Sequence, residues 1–273
     1  MKKRLPSILI GLLFLVGLGI MIYPTVSNQW NTYRQNKLIS NYEKIVDDMS
    51  DGDFSQEWQN AQAFNETISG NNVFADVFGE KSKDSENSEY NRVLNMNNDG
   101  IMGYISIPEI NIKLAIYHGT SDDVLQTGVG HINGSKLPIG GESTHCVLAA
   151  HRGLPSAELF TDIDQLQTGD KFYMHILDKV LAYEVDQIKT VLPSQTDDIE
   201  IVDGEDYVTL VTCTPYSVNT HRLLVRGKRT DYKEAIKKTP NKVNNGIQIP
   251  YEVKLAFLSF IIIGIIIFIW RRR

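Results

Sequence analysis

Cysteine is nearly absent from this chain: 273 residues hold two, Cys146 and Cys213. Two cysteines give no disulfide framework, and no C-x-x-C pair occurs, which excludes a thioredoxin-like redox site. No zinc-type spacing of Cys and His occurs either. A basic surface is also missing. The two tails take six of the 27 basic residues, leaving 21 for the middle of the chain against all 33 acidic ones, a formal charge of −12. Such a surface repels phosphate backbones, so nucleic acid is excluded as a partner.

Long apolar runs, by contrast, stand at both ends. Met1-Lys2-Lys3-Arg4 precedes an apolar stretch over residues 5–24, and a second, over 253–270, is followed by Arg271-Arg272-Arg273. Each approaches the roughly 20 residues of a bilayer-spanning helix. No small-residue A-x-A site follows the first, so it is expected as an uncleaved anchor rather than a removed signal peptide. The second lacks any polar face through Ile261–Ile267, so it is expected to span rather than pack as a buried core helix. Positive flanks stay on the cytoplasmic side. Residues 1–4 and 271–273 are thus expected inside the cell membrane, with everything between the spans outside.

Residues 25–65 read as helical. Leu38, Tyr42, Ile45 and Met49 form one stripe and Phe54, Trp58 and Ala61 a second, with Gly52 and Asp53 expected to break the two helices. Residues 66–100 form a long polar connection containing the apolar island Val73–Phe78. Loops of that length are lids, binding loops or disordered segments. From 101 to 230, short β-like runs alternate with turn signals: Tyr104–Ile107, Ile112–Tyr117, His145–Ala150, Lys171–Ile176, Ala182–Val185, Thr190–Leu192, Val208–Cys213 and Leu223–Arg226. This spacing favours a barrel or a sandwich. One helix, Pro155–Leu166, is expected to interrupt it, and residues 231–252 read as a terminal helix and linker.

The chemistry concentrates near the end of this region. Tyr207–Thr212 is a β-branched, apolar run that Pro215 terminates, so Cys213 stands at a strand exit. Arg222 opens the next apolar run, and a hairpin around 214–221 would set Arg222 opposite Cys213. A thiol is a nucleophile once ionised, and a fixed guanidinium both favours ionisation and stabilises a developing oxyanion. His151 also ends an apolar run and enters a Gly/Pro turn. It competes with His118, His131, His145, His175 and His221, of which His221 is the better placed rival. Arg226 and Arg152 are the rivals of Arg222. Cys146, inside an apolar run, reads as a buried free thiol.

Thr209–Gly227 resembles the cysteine signature of the sortases, and more narrowly of the class C, pilin-polymerising sortases of Gram-positive bacteria. Gly130–Gly141 and Thr144–Ala157 are similar to that group as well, in the same order along the chain. The resemblance implies a mainly β fold, an eight-stranded sortase-like β-barrel with N-terminal helices and one or two short helices, flanked by the two spans. It implies Cys213 as nucleophile, His151 as general acid and base, and Arg222 as the guanidinium partner. It implies cleavage of an LPxTG-like signal between Thr and Gly through a thioester, then transfer to a lysine amine of a pilin. The implied partners are pilin subunits or other LPxTG-bearing surface proteins, and the membrane; no metal or other cofactor is implied.

Asp76-Val77-Phe78 occupies the place of the class C Asp-Pro-aromatic lid, with valine where the group has proline. Asp76 is therefore expected to pair with Arg222, and Phe78 to cover Cys213. Leu137–Gly141 is similar to an LPxTG signal but lacks its threonine and reads as a loop. Two other readings compete: a housekeeping sortase that attaches proteins to peptidoglycan, and a non-catalytic membrane-tethered β-domain that binds surface proteins.

Overall fold

The computed structural model describes residues 5–68, Asp76, Phe78 and residues 89–233. The second apolar stretch and residues 234–252 lie outside the described residues, as does Val77.

Two helices lead into the barrel. α1 runs unbroken from Leu5 to Asp47, with Pro24 in its interior. Its apolar half is largely exposed: Leu13 is 75 % exposed and Ile20 69 %. By length and composition it is able to cross a membrane. Its second half does pack, but on a face centred on Asn31, Gln35, Ile39 and Tyr42. The apolar stripe pointed to Leu38 and Ile45, which are only half-buried. The buried Gln35 was illegible because its value lies in hydrogen bonds, its side chain accepting the Ala115 N–H at 2.9 Å. α2 spans Asp51–Thr67 and begins one turn earlier than expected. Ser50 caps it, its side chain taking the Asp53 N–H while the Asp53 carboxylate takes the Ser50 N–H. Gly52 and Asp53 therefore belong to the first turn, and the chain breaks at residues 48–50.

Eight strands close a barrel: β1 (Ile101–Ile107), β2 (Ile112–His118), β3 (Val129–His131), β4 (Thr144–Ala149), β5 (Lys171–Ile176), β6 (Lys179–Val191), β7 (Asp206–Thr214) and β8 (His221–Thr230). The order around it is β1-β2-β3-β4-β7-β8-β6-β5. The expected count of eight agrees, but through two compensating differences. Ala182–Val185 and Thr190–Leu192 are one strand, β6, because a bulge at Val185/Gln187 absorbs the polar Asp186. The strand missed is β3, three residues with glycine at their centre. Only glycine fits at Gly130, where a Cβ would lie 2.4 Å from the Gly119 carbonyl oxygen. α3 (Asp122–Thr127) precedes it.

Pro155–Leu166 is not a helix. Leu159 holds φ +42°, and the segment folds as turns ending in a single 3-10 turn, Ile163–Gln165. Its apolar residues Leu159, Phe160, Ile163 and Leu166 are buried, so the helical spacing records a buried turn instead. Residues 89–100 are likewise anchored, with Tyr90 and Leu94 in the core.

Candidate active site

β4 and β7 run parallel and end at one rim, Ala149 beside Val211. Side chains alternate along a strand, so His145, Val147, Ala149 and the following His151 share the outer face of the wall with Thr209, Val211 and Cys213. β8 returns antiparallel from this rim, and its register sets Arg222 directly opposite Cys213. Directly opposed residues share a face, so Arg222 and Leu224 extend the same surface. The backbone is pinned up to the rim: the Thr212 hydroxyl donates to the Ala150 carbonyl at 2.8 Å, and the Ala150 N–H to the Val211 carbonyl at 3.2 Å. Arg222 thus stands opposite Cys213, and His151 follows β4 at the same rim.

Asp76 meets Arg222, and Phe78 lies against His151 and Arg222. Arg222 donates from Nε to Asp76 Oδ1 at 2.8 Å and from Nη2 to Oδ2 at 2.6 Å. This is a two-pronged ion pair between side chains only 8 % and 19 % exposed. The remaining nitrogen, Nη1, donates to the carbonyls of Asn219 and His221. The Phe78 ring stands 5.6 Å from the His151 ring and 5.3 Å from the Arg222 guanidinium. Beneath it Val147, Ala149, Val191, Val211 and Leu224 form an apolar floor. The sequence reading did not assemble this floor, although alternate residues of the expected strands carry it.

Burial decides the charge states here. It pushes the Cys213 thiol above its ordinary value; the Arg222 charge opposes this and the Asp76 carboxylate adds to it. Burial holds the His151 imidazole below its ordinary value, weakly countered by Asp122. With Asp76 in place the pair rests as thiol and neutral imidazole at neutral pH.

The rivals have other occupations. His145 is buried, its ring nitrogens facing the Glu200 carbonyl and the Thr209 hydroxyl, each at 2.7 Å. His131 is fully buried beside Tyr90, His118 faces the carbonyls of Gly100 and Val93, and His175 stacks on Tyr104. His221 stands at the start of β8 against Thr220. Arg226 is committed to Asp186 and lies over the Tyr207 ring. Arg152 pairs with Asp164. Cys146 is a buried free thiol, its pKa driven well up by burial. Lys136, in the loop before β4, donates to the carbonyls of Asn65 and Ile68 and so closes the C-terminal end of α2.

Replacing Asp76 and Phe78 together by alanine is expected to speed alkylation of Cys213. Removal of the carboxylate leaves Arg222 acting alone on the thiol, so the pH midpoint of alkylation moves down. Iodoacetamide rates across pH, with circular dichroism to confirm an intact barrel, read both effects. Unchanged rates and midpoint would leave the segment an inert anchor.

The family model described as "Sortase domain" matches residues 105–230. Among solved structures, a sortase C of Streptococcus pneumoniae, described in relation to catalysis and pilin substrate specificity, is 45 % identical, with a TM-score of 0.65. The match covers 72 % of this chain and 97 % of that one. Sortase C1 of Streptococcus agalactiae is 49 % identical over 71 % of this chain and 98 % of its own, again with a TM-score of 0.65. Among curated proteins, sortase A of Streptococcus agalactiae serotype III (strain NEM316) is 28 % identical over 55 % of this chain. Sortase D of Bacillus subtilis (strain 168) is 32 % identical over 46 %. In both cases the match spans 63 % of the curated relative's length.

Proposed function

The chain belongs to the sortase family, and from that premise we propose that it is a membrane-anchored cysteine transpeptidase of the class C, pilin-polymerising kind. The observation that carries this reading is the convergence of Cys213, His151 and Arg222 on one face of one rim, under Asp76 and Phe78. Cys213 Sγ attacks the Thr carbonyl of an LPxTG-like signal, and the oxyanion that forms meets the Arg222 guanidinium. His151, having taken the thiol proton, passes it to the departing glycine amine, leaving a thioester. A lysine amine of a second pilin subunit gives up a proton to His151, attacks the thioester and expels the thiol, forming an isopeptide bond.

Asp76 and Phe78 act as a lid that must leave first. The Asp76–Arg222 pair favours this reading over a housekeeping one, because a carboxylate that occupies the guanidinium makes access conditional. Lid departure also rehydrates the thiol and removes the charge that opposes its ionisation. Without proline's fixed φ at position 77, the lid is expected to open more readily than one that carries it.

Residues 5–24 serve as the first anchor and 253–270 as the second, with both termini cytoplasmic. Protease added to intact protoplasts is expected to digest residues 30–245 and spare both tails; C-terminal arginines found outside would sink the two-span arrangement. The chemistry is tested by incubating the protein with LPxTG peptides and analysing it by mass spectrometry. An acyl adduct on Cys213, ending at the peptide's threonine, is expected. An adduct elsewhere, or none with any such peptide while the thiol remains alkylatable, would overturn the reading.

A further inference from the structure

The unbroken helix that carries the apolar stretch also grips the barrel, at points that order it along the helix axis. Asn28 Oδ1 accepts the Glu158 N–H at 3.0 Å. Gln35 donates to the Thr127 carbonyl. Seven residues further on, the Tyr42 hydroxyl accepts the Leu177 N–H at 2.8 Å. Glu158 lies in the loop whose Phe160 N–H bonds the His151 carbonyl, and Thr127 stands two residues before β3, where Gly130 pairs with Ala149. Both therefore sit at the rim of His151 and Cys213. Leu177 sits in the turn before β6, which then runs 13 residues to Val191, the partner of Arg222. It marks the opposite end. The stretch of α1 nearest the apolar run thus holds the catalytic rim.

Helix rise sets the distance. Leu5–Tyr23, 19 residues, covers about 28 Å at the α-helical rise, close to the roughly 30 Å hydrocarbon core. Asn28 follows about 7 Å later, and the headgroup layer is itself about 5–8 Å deep. Tyr23, Trp30 and Tyr33, 55 %, 62 % and 59 % exposed, line this part of the helix. Tyrosine and tryptophan concentrate at the membrane–water boundary.

We propose that the bilayer surface is the docking partner of the barrel's His151 end: residues 152–158 rest at headgroup level, and the mouth holding Cys213 opens at the membrane plane. The inference rests on the anchored-sortase reading and adds a preference to it, for polypeptides held in the same bilayer over the same peptides in solution. Charge does not draw the rim down, since it carries Glu158 and, in α3, the exposed Asp122 and Asp123. The continuous helix does, so the contact persists at high salt.

The test uses the full-length chain in phosphatidylcholine–phosphatidylglycerol vesicles doped with a lipid carrying a nitroxide on its headgroup. A fluorophore is placed at Glu158→Cys or, at the far end before β4, at Glu142→Cys, each in a Cys213→Ala background; Cys146 is only 3 % exposed and escapes labelling. Several-fold stronger quenching at 158 than at 142 is expected. A seven-residue alanine-rich insertion between Ser27 and Asn28 lifts the barrel by about 10 Å and should abolish the difference. Equal quenching at the two positions, or quenching that ignores the insertion, overturns the proposal. With Cys213 intact, the insertion is expected to slow cleavage of a lipid-tethered LPxTG peptide by roughly tenfold or more while the free peptide is cleaved as before. Unaltered cleavage of the tethered peptide also overturns it. If the native chain cleaves neither peptide, the sortase reading fails, whereas the quenching result still decides where the barrel sits.

Discussion

Replacing Cys213 by alanine is expected to abolish cleavage and transfer, a loss of roughly 10⁴-fold or more, the scale set by removing the nucleophile of a covalent mechanism. Cys146→Ala is expected to keep most of the activity. The two thiols differ in what surrounds them, not in their chemistry. Cys146 points into the barrel interior, where burial and then the Asp206 carboxylate disfavour a thiolate. Cys213 points outward at a strand exit, opposite a guanidinium. Stability should separate them in the reverse sense. Shortening Cys146 leaves a small hole in a packed core, worth about 1 kcal/mol and a melting midpoint lower by a few degrees. Cys213 is also buried, at 6 % exposed, but on the outer face of the wall rather than in the barrel core, so shortening it should lower the midpoint less. Peptide turnover and thermal melts of both variants check the crossed pattern. Activity surviving Cys213→Ala would end the transpeptidase reading.

What the sequence disclosed, and what it hid, follows from the range of the interactions involved. Strand runs such as Val208–Cys213 were legible because alternation and β-branching act locally. β3 was not, since a three-residue strand with glycine at its centre has no pattern to show. β6 read as two runs because Asp186 and Gln187 are polar, and only the partner strand reveals that Arg226 occupies the carboxylate of a bulge. The turns over 155–166 carry an apolar spacing that a helix would also carry, and the positive φ of Leu159 that decides against it is invisible in a leucine. The face of α1 was displaced for a related reason: Gln35 is buried because backbone groups of the barrel, the Ala115 N–H and the Thr127 carbonyl, need it.

At the site, the spacing of Cys213 and Arg222 implied a hairpin, and the hairpin is there. Nothing local tied His151 to them; that came from the likeness of whole motifs. The meeting of Asp76 with Arg222 is a contact across 146 residues, which no local pattern could disclose. It came from the lid motif.

Arg222→Lys is expected to lower kcat/KM by about a hundredfold, although it preserves the charge. Lysine offers one ammonium, whereas Arg222 uses three nitrogens at once, Nε and Nη2 toward Asp76 and Nη1 toward the Asn219 and His221 carbonyls. Nη1 fixes the turn before β8, which leaves the Nε–Nη2 edge aimed at whatever replaces Asp76. Two opposed effects follow from the substitution. A weaker hold on Asp76 loosens the lid and raises access. Loss of the fork removes an aligned donor pair from the oxyanion, about 2–4 kcal/mol, or thirtyfold to nearly a thousandfold in rate. Access gains are bounded by the closed fraction of the lid, so the second effect wins unless the lid is shut almost all the time. The Asp76→Ala, Phe78→Ala background separates them, because no lid remains there to loosen. In that background Arg222→Lys should still cost about a hundredfold in peptide turnover. A loss below tenfold there would reduce Arg222 to a latch for the lid and move oxyanion stabilisation to backbone N–H groups at the rim, since Arg226 is already committed to Asp186.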